Sequence, residues 1–119
     1  WSERVHLVEE VPFEKISTLH SDHDVMIFGS TCETFGMVIT EAMASAMPLL
    51  CSNRSSMQET AGDAAIYFNP LDNEDVKLNI LKIYGNKVLQ ENMSEKSYER
   101  AKAFCWQKCS RATFSFLGS

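Results

Sequence analysis

The sequence lacks the features that would assign it to several special classes of protein. Glycine and proline are scarce, with 5 and 3 residues among 119, and no repeat, low-complexity stretch or linker interrupts the chain. No apolar run approaches the ~20 residues that span a bilayer as a helix, so no transmembrane helix is predicted. There is no initiator methionine and no signal-peptide pattern, so we expect the chain to begin within a longer protein.

The four cysteines lack the dense, regular spacing of a secreted disulfide scaffold. Cys51 lies in an apolar run, where a free thiol behaves as a small hydrophobic residue. Cys105 and Cys109 are four apart and would share a helix face, but no second Cys/His pair stands at zinc-finger spacing. The pattern therefore predicts no bound metal and favours a reducing, cytoplasmic location.

Basic residues are scarce in the first part of the chain, and acidic residues are scarce in the last part. The net charge of −5 disfavours nucleic acid as the main partner. Residues 1–76 hold 3 basic and 13 acidic residues, whereas residues 77–119 hold 8 basic and 3 acidic ones. Solvation or docking of the basic tail on another domain is the simpler interpretation. Peripheral attraction to the cytoplasmic face of a membrane remains an alternative.

What is present is typical of one globular domain, 1–119, with 45% hydrophobic and 23% charged residues. Short apolar runs alternate with helix-like segments, which predicts an α/β, Rossmann-like parallel sheet of about four short strands with a helical C-terminal tail. Ligands of such sheets bind at the carboxyl ends of the strands. The predicted strands are Arg4–Leu7, Val25–Phe28, Pro48–Cys51 and Ala65–Phe68. The predicted helices are Phe13–Ser21, Gly36–Ala46, Ser55–Ala61, one that Asn73-Glu74-Asp75 caps, one from about Lys87, and Phe104–Leu117.

The segment that follows the second predicted strand carries the chemistry. It enters a helix through Gly36, so the amides of Phe35, Gly36 and Met37 are not yet paired within the helix and can bind phosphate or sugar hydroxyls. Gly36 would let a ligand approach the backbone. Glu33 precedes the helix and Glu41 lies about one turn into it, and a carboxylate accepts hydrogen bonds from two vicinal hydroxyls. On spacing alone, however, two glutamates near a helix start are more simply solvated or capping residues.

A longer pattern resembles the group 1 retaining glycosyltransferases, which have the GT-B fold, from about Val5 to Leu117. That family carries a Glu-x7-Glu motif, and Glu33-Thr-Phe-Gly-Met-Val-Ile-Thr-Glu41 matches it. Six pieces in the family's order, with its gaps, make the resemblance specific. The further matching segments are Glu41–Ala44 with Pro48–Cys51, Ser52–Ser56 with Glu59, Gly62–Ala65, Phe68–Pro70 with Asp72, and Arg100-Ala101 with Phe104–Trp106.

The resemblance implies the C-terminal, donor-binding part of a hexosyltransferase-like enzyme that uses a nucleoside diphosphate sugar with retention and without a metal cofactor. Glu41 would hold the ribose hydroxyls, and Glu33 would lie near the transferred sugar and its leaving phosphate, as a catalytic and donor-binding residue. Phe35, Gly36 and Met37 would contact the sugar or the diphosphate. Thr40 lies beside this pocket, where a hydroxyl contact and a plain helix-surface role are equally open.

The same resemblance limits what the chain can do. The family's basic pair for the diphosphate and its N-terminal acceptor domain lie upstream of the matched region, so we expect this fragment alone to be inactive. The acceptor would be a sugar, a lipid-linked glycan or a polysaccharide. Ala46 stands where the family often has glycine, and a positive φ there would cost a little. Gly29 stands where it often has proline.

Other interpretations are weaker. A non-catalytic nucleotide-sugar-binding or scaffolding module would often have lost a glutamate or Gly36, and the downstream pattern does not follow the related epimerases or phosphorylases. Arg54 is the only nearby cation and is more simply structural than a phosphate clamp. His20 and His23 fall in a predicted helix-to-strand connection at the amino end of the next strand, where solvated loop histidines are expected.

Overall fold

Three parallel strands form the centre of the chain in a computed structural model, which describes residues 3–118. Trp1, Ser2 and Ser119 belong to the predicted domain 1–119 but lie outside the described residues. The strand order is β1-β2-β3, and each strand follows the previous one through a helix on the face of the sheet. The elements are α1 Phe13–Ser21, β1 Met26–Phe28, α2 Met37–Ala44, β2 Leu49–Ser52, α3 Met57–Ala61 with a 3-10 turn at Gly62–Ala64, β3 Ala65–Phe68, α4 Asn73–Ile83, α5 Lys87–Ala101 and α6 Trp106–Leu117.

The central strand β2 is buried on both faces, which explains the uninterrupted apolar run Leu49–Cys51. Leu49 and Cys51 point to one face, where they pack with residues of α2 and α3. Leu50 points to the other face and packs with Phe68 and Ile83. Successive side chains of a strand alternate between faces, so a strand covered on both sides favours apolar residues. The one polar residue of β2, the buried Ser52 at its end, accepts a hydrogen bond from the Arg54 amide. Strand β2 therefore packs between helices on both faces of the sheet, through these two buried clusters.

The starts of the two helices that follow the sheet, α4 and α5, are set by side-chain caps. Asp72 accepts hydrogen bonds from the amides of Glu74 and Asp75 at the start of α4. Asn86 does the same for the amide of Leu89 at the start of α5. Such caps satisfy amides that have no partner inside the helix. The helix was predicted at the correct place, but its cap is Asp72, one residue before the predicted Asn73-Glu74-Asp75 group.

The predicted strand Arg4–Leu7 is wrong. This segment has no strand structure, and the Leu7 side chain is 94% exposed. A β-prone run forms a strand only where a neighbouring strand supplies partners for its backbone groups. None of the described strands lies beside it, because β1 pairs only with β2. The sheet of the described chain therefore has three strands, not about four.

The helical C-terminal tail is confirmed as α6. No residue of α6 is buried in the described chain, and the large apolar side chains of Trp106, Phe114 and Leu117 are exposed. Basic residues at Lys108 and Arg111 lie on the same helix. None of the helices in residues 3–118 combines the length and apolarity needed to cross a bilayer.

Candidate functional site

The loop between β1 and α2 lies at the carboxyl edge of the sheet, where the sequence predicted a ligand site. Strand β1 ends at Phe28 and α2 begins at Met37, so both Glu33 and Gly36 fall in this loop. Gly36 is the residue that precedes the helix, with φ of 80° and ψ of 57°. The carboxyl edge of a parallel sheet is the usual place for a ligand in doubly wound folds.

The start of α2 presents unpaired backbone donors. Within residues 3–118, the amides of Phe35, Gly36 and Met37 make no hydrogen bond. Unpaired amides at a helix N-terminus carry partial positive charge and favour anions such as phosphate. The predicted amide donors are therefore free of protein partners in the described part of the chain.

Gly36 has a structural explanation that the sequence did not reveal. Its backbone lies in the left-handed region, which favours glycine. A Cβ at this position would stand 3.2 Å from Met57 Cε and 3.3 Å from Ile39 Cγ1. Both neighbours are fully buried. The need for glycine here comes from backbone conformation and packing, whether or not a ligand also approaches.

Neither Glu33 nor Glu41 is used by the fold through its carboxylate. Both residues are half-buried. The Glu33 backbone is hydrogen-bonded by Ser55 and Ser56, and the Glu41 carbonyl accepts from the amide of Ser45. Among the described residues, however, neither carboxylate forms a hydrogen bond or a salt bridge. The capping role that spacing alone favoured is therefore absent among the described residues. Solvation, the other half of that interpretation, and hydrogen bonds to a ligand both fit the free carboxylates.

Thr40 is more constrained than the glutamates. Its hydroxyl donates to the Met37 carbonyl at 2.7 Å, a common use of threonine within a helix. The oxygen can still accept a hydrogen bond, so Thr40 could serve a ligand only as an acceptor.

Arg54 serves the fold, in agreement with the structural role predicted for it. Its guanidinium donates to Asn69 Oδ1 at 3.4 Å and its amide donates to Ser52 Oγ at 3.1 Å. These contacts join the ends of β2 and β3.

Sequence reasoning missed the residues that hold the site loop from the side of α3. Thr60 Oγ1 donates to the Phe35 carbonyl at 2.7 Å. The Phe35 ring meets the Phe104 ring edge-on, with centroids 5.5 Å apart and planes at 77°. Both contacts join positions far apart in sequence, and no periodic pattern signals a side chain that bonds a distant backbone carbonyl.

The expectation of solvated loop histidines is wrong for His20. This residue lies in the last turn of α1 with 7% of its surface exposed, and its Nδ1 is 3.4 Å from Ser45 Oγ. Packing of α1 against the end of α2 buries it. His23 is exposed as predicted. The contact with the end of α2 places His20 at the opposite edge of the sheet from Glu33.

The remaining titratable groups give no second reactive centre. Burial raises the pKa of the Cys51 thiol to about 12, so it stays protonated and unreactive at neutral pH. Burial is also the main cause that raises the pKa of Tyr67 to about 12, and its hydroxyl donates to the Gly62 carbonyl. In residues 3–118, no three His, Cys, Asp or Glu side chains gather in a way that could hold a metal ion.

Comparison with known proteins gives the site a context. The chain is 30% identical over 105 residues to O-antigen chain mannosyltransferase B of Escherichia coli, which covers 88% of this chain and 28% of that protein. It is 26% identical over 96 residues to mannosylfructose-phosphate synthase of Agrobacterium fabrum, covering 78% of this chain and 21% of that protein. Among solved structures, sucrose-phosphate synthase from Thermosynechococcus elongatus matches with a TM-score of 0.84 and 25% identity, over 98% of this chain and 31% of that chain.

These matches agree with the α/β fold of the chain. The chain spans less than a third of the length of each of these relatives, and its α/β fold is similar to that part of a GT-B glycosyltransferase. The family model of the glycosyl transferases group 1 matches residues 1–100, which is most of the chain. The chain therefore belongs to the group 1 glycosyl transferases.

Proposed function

We propose that this chain binds a nucleoside diphosphate sugar at the loop between β1 and α2, as the donor-binding part of a retaining glycosyltransferase. One observation carries the proposal: two half-buried carboxylates and a group of helix-start amides lie at one edge of the sheet, and none of them has a partner among residues 3–118. Half-buried polar groups without a protein partner are costly unless solvent or a ligand pairs with them. A sugar nucleotide offers the matching groups, namely hydroxyls for the carboxylates and phosphates for the amides.

Each group has a proposed role. Glu41, on α2, accepts hydrogen bonds from the two ribose hydroxyls. Glu33 faces the transferred sugar and its leaving phosphate, and the amides of Phe35, Gly36 and Met37 contact the diphosphate or the sugar. Thr40 contributes one acceptor at most, because its proton is bonded to the Met37 carbonyl. Support for these roles comes from the Glu-x7-Glu motif and from the unpaired state of the groups.

The proposed reaction breaks the bond between the anomeric carbon and the diphosphate and forms one to the oxygen of an acceptor hydroxyl, with the same anomeric configuration. The hydroxyl proton passes to the leaving diphosphate. The barrier lies in an oxocarbenium-like centre and in the negative charge that develops on the diphosphate. Donors aimed at that charge are an effective way to lower such a barrier. The amides at the start of α2 would supply part of this stabilisation, and no metal cofactor is proposed.

The chain by itself is proposed to transfer little or no sugar. Arg54 donates one hydrogen bond to the neutral Asn69 side chain, and we assign it a structural role and not that of the family's basic pair for the diphosphate. We place the basic pair and the acceptor site outside this region, in an N-terminal domain, as the family resemblance implies. The proposed acceptor is a sugar, a lipid-linked glycan or a polysaccharide, and the proposed location is the cytoplasm, with peripheral membrane contact as an open variant.

Calorimetric titration of the chain with UDP, GDP and ADP tests the proposal. We expect one of the three to bind, and the Glu41→Gln variant to weaken that nucleotide about tenfold or more, because one residue would hold both ribose hydroxyls. Glu91→Gln is the matched control: it removes the same charge from an exposed position in the early part of α5. Loss of heat in both variants, or in neither, would sink the ribose assignment. Nucleotide binding without transfer activity in any longer protein that contains this chain would favour a non-catalytic binding or scaffolding module.

A further inference from the structure

The backbone at Glu33 is held by a turn from a different part of the chain. Ser55 and Ser56 follow β2 and reach across to the site loop, 22 and 23 residues earlier in the sequence. The Glu33 amide donates to Ser55 Oγ at 3.1 Å, and the same hydroxyl donates to the Glu33 carbonyl at 2.5 Å. Ser56 Oγ donates to that carbonyl as well, at 3.2 Å. One serine side chain thus fixes both backbone groups of the proposed catalytic residue.

Ser55 adopts a conformation that costs energy. Its φ is 56°, in the left-handed region, which is unfavourable for residues with a β-carbon. The residue is exposed, so close packing of its side chain does not force this conformation. Both hydrogen bonds of its side chain go to Glu33. An exposed serine in a strained conformation, with both side-chain bonds on one distant residue, points to a role for that contact in the site.

The same loop is held at a second point, two residues later. Thr60 Oγ1 donates to the Phe35 carbonyl, and the Thr60 carbonyl in turn accepts from Arg100 Nε at 2.9 Å. The backbone is therefore anchored at Glu33 and at Phe35. The Glu33 carboxylate and the amides from Phe35 to Met37 are left without partners in residues 3–118. Groups that are held in place through their backbone but left free to bind describe a preorganised site.

We propose that Ser55 is a positioning residue, which acts through the Glu33 backbone to hold the Glu33 carboxylate in place for the sugar of the donor. The part of this inference that concerns the donor sugar rests on the proposed function. The contact itself does not depend on any ligand. Ser55 should matter for the sugar moiety and not for the nucleoside, because Glu41 lies on α2 and has no contact with the Ser55–Ser56 turn among the bonds of the described chain.

The first measurement is amide hydrogen exchange at Glu33, by NMR on the isotopically labelled chain without ligand. In Ser55→Ala and Ser55→Gly we expect the Glu33 amide to exchange about tenfold faster or more, because its acceptor is gone. The two variants differ usefully in backbone strain. Ser55→Gly relieves the left-handed conformation, so its free energy of unfolding should stay close to that of the wild type while the Glu33 amide is still released. Ser110→Ala, which removes an exposed hydroxyl from α6, is the control and should leave Glu33 unchanged.

The second measurement compares a nucleotide with its sugar conjugate, for whichever base binds the wild type: UDP with UDP-glucose, GDP with GDP-mannose, or ADP with ADP-glucose. In Ser55→Gly we expect nucleotide affinity to be unchanged and the affinity gained from the sugar to fall about three- to tenfold. A merely structural role would weaken both ligands equally.

The outcomes separate the inference from the proposed function. Unchanged Glu33 exchange in both Ser55 variants overturns the inference. Faster Glu33 exchange together with an unchanged gain in affinity from the sugar also overturns it, because the contact would then hold the loop without affecting sugar binding. If the wild type binds no nucleotide and no conjugate, the proposed function and the sugar-positioning role both fail, while the exchange data still report whether Ser55 holds the Glu33 backbone.

Discussion

Gly36 allows a quantitative test of how the site loop is built, through the substitution Gly36→Ala. Two costs arise at this position. A β-carbon in the left-handed region costs roughly 1–2 kcal/mol, and Gly36 has φ of 80°. The new carbon would also stand 3.2 Å from Met57 Cε and 3.3 Å from Ile39 Cγ1. Overfilling a packed core costs about 1–3 kcal/mol, and the lower end applies because Met57 Cε ends a flexible side chain. We expect a total loss of about 2–3 kcal/mol.

Two other glycines separate these costs. Gly85 has φ of 70° but nothing within 4 Å of an added Cβ, so Gly85→Ala measures backbone strain alone and should cost about 1–2 kcal/mol. Gly29 has no atom within 4 Å of an added Cβ and does not lie in the left-handed region. Gly29→Ala should therefore be neutral, or stabilising by a few tenths of a kcal/mol through the unfolded chain.

The assay is urea-induced unfolding followed by far-ultraviolet circular dichroism. The dependence of the unfolding free energy on urea concentration must have the same slope in all variants, so that differences in midpoint report differences in stability. The expected order of stability loss is Gly36→Ala, then Gly85→Ala, then Gly29→Ala. The difference between the first two isolates the contact with Met57 and Ile39. A Gly36→Ala variant no less stable than Gly85→Ala would refute the close packing beneath the site loop.

Three further predictions concern the support of this site and the core. Arg100 donates to the Thr60 carbonyl at 2.9 Å and to the Glu59 carbonyl at 2.7 Å, so thermal unfolding should show Arg100→Ala destabilised by about 2 kcal/mol. Arg100→Lys should recover less than half of that stability, because an ammonium group cannot donate both bonds in the geometry of a guanidinium. The fully buried Ser97 hydroxyl has no hydrogen-bond partner among the described residues, so Ser97→Ala should raise the urea midpoint by the equivalent of about 1–2 kcal/mol, and a lowered midpoint would contradict this. Burial raises the pKa of Cys51 from 9.0 to about 12, so with rising pH this thiol ionises in the unfolded chain before it does so in the folded one. The free energy of unfolding should therefore fall above pH 9, by up to about 1.4 kcal/mol per pH unit toward pH 12. In Cys51→Ala this fall should be shallower, and the part caused by ionisation of Tyr67 should remain.

Much of the fold could be predicted because its signals are local. The strand Ala65–Phe68 and the helix Phe13–Ser21 have the predicted bounds, since an uninterrupted apolar run and a 3.6-residue period are readable in short windows. Ala46 has φ of 56°, in agreement with the positive φ suspected where related sequences often have glycine. The segment Arg4–Leu7 failed because its residues favour a strand while no described strand pairs with it.

The residues proposed for the site could be named from the sequence, whereas the contacts that hold the site loop in place could not. Glu33 and Glu41 could be singled out because the motif places them around a helix start. The contacts of Ser55 with Glu33 and of Thr60 with Phe35 could not, because they join a side chain to a backbone group more than 20 residues away. His20 was misjudged for the same reason, since its burial depends on packing against Ser45.

The central claim is that the start of α2 is a donor site. The most direct measurement is an NMR map of amide shifts when the labelled chain is saturated with the diphosphate nucleotide that binds it in calorimetry. We expect the largest shifts at the amides of Phe35, Gly36 and Met37. These shifts should be reduced or abolished in Glu41→Gln and retained in Glu91→Gln. Shifts centred on the opposite edge of the sheet near Ser45, or no shifts with UDP, GDP or ADP in a folded chain, would contradict it.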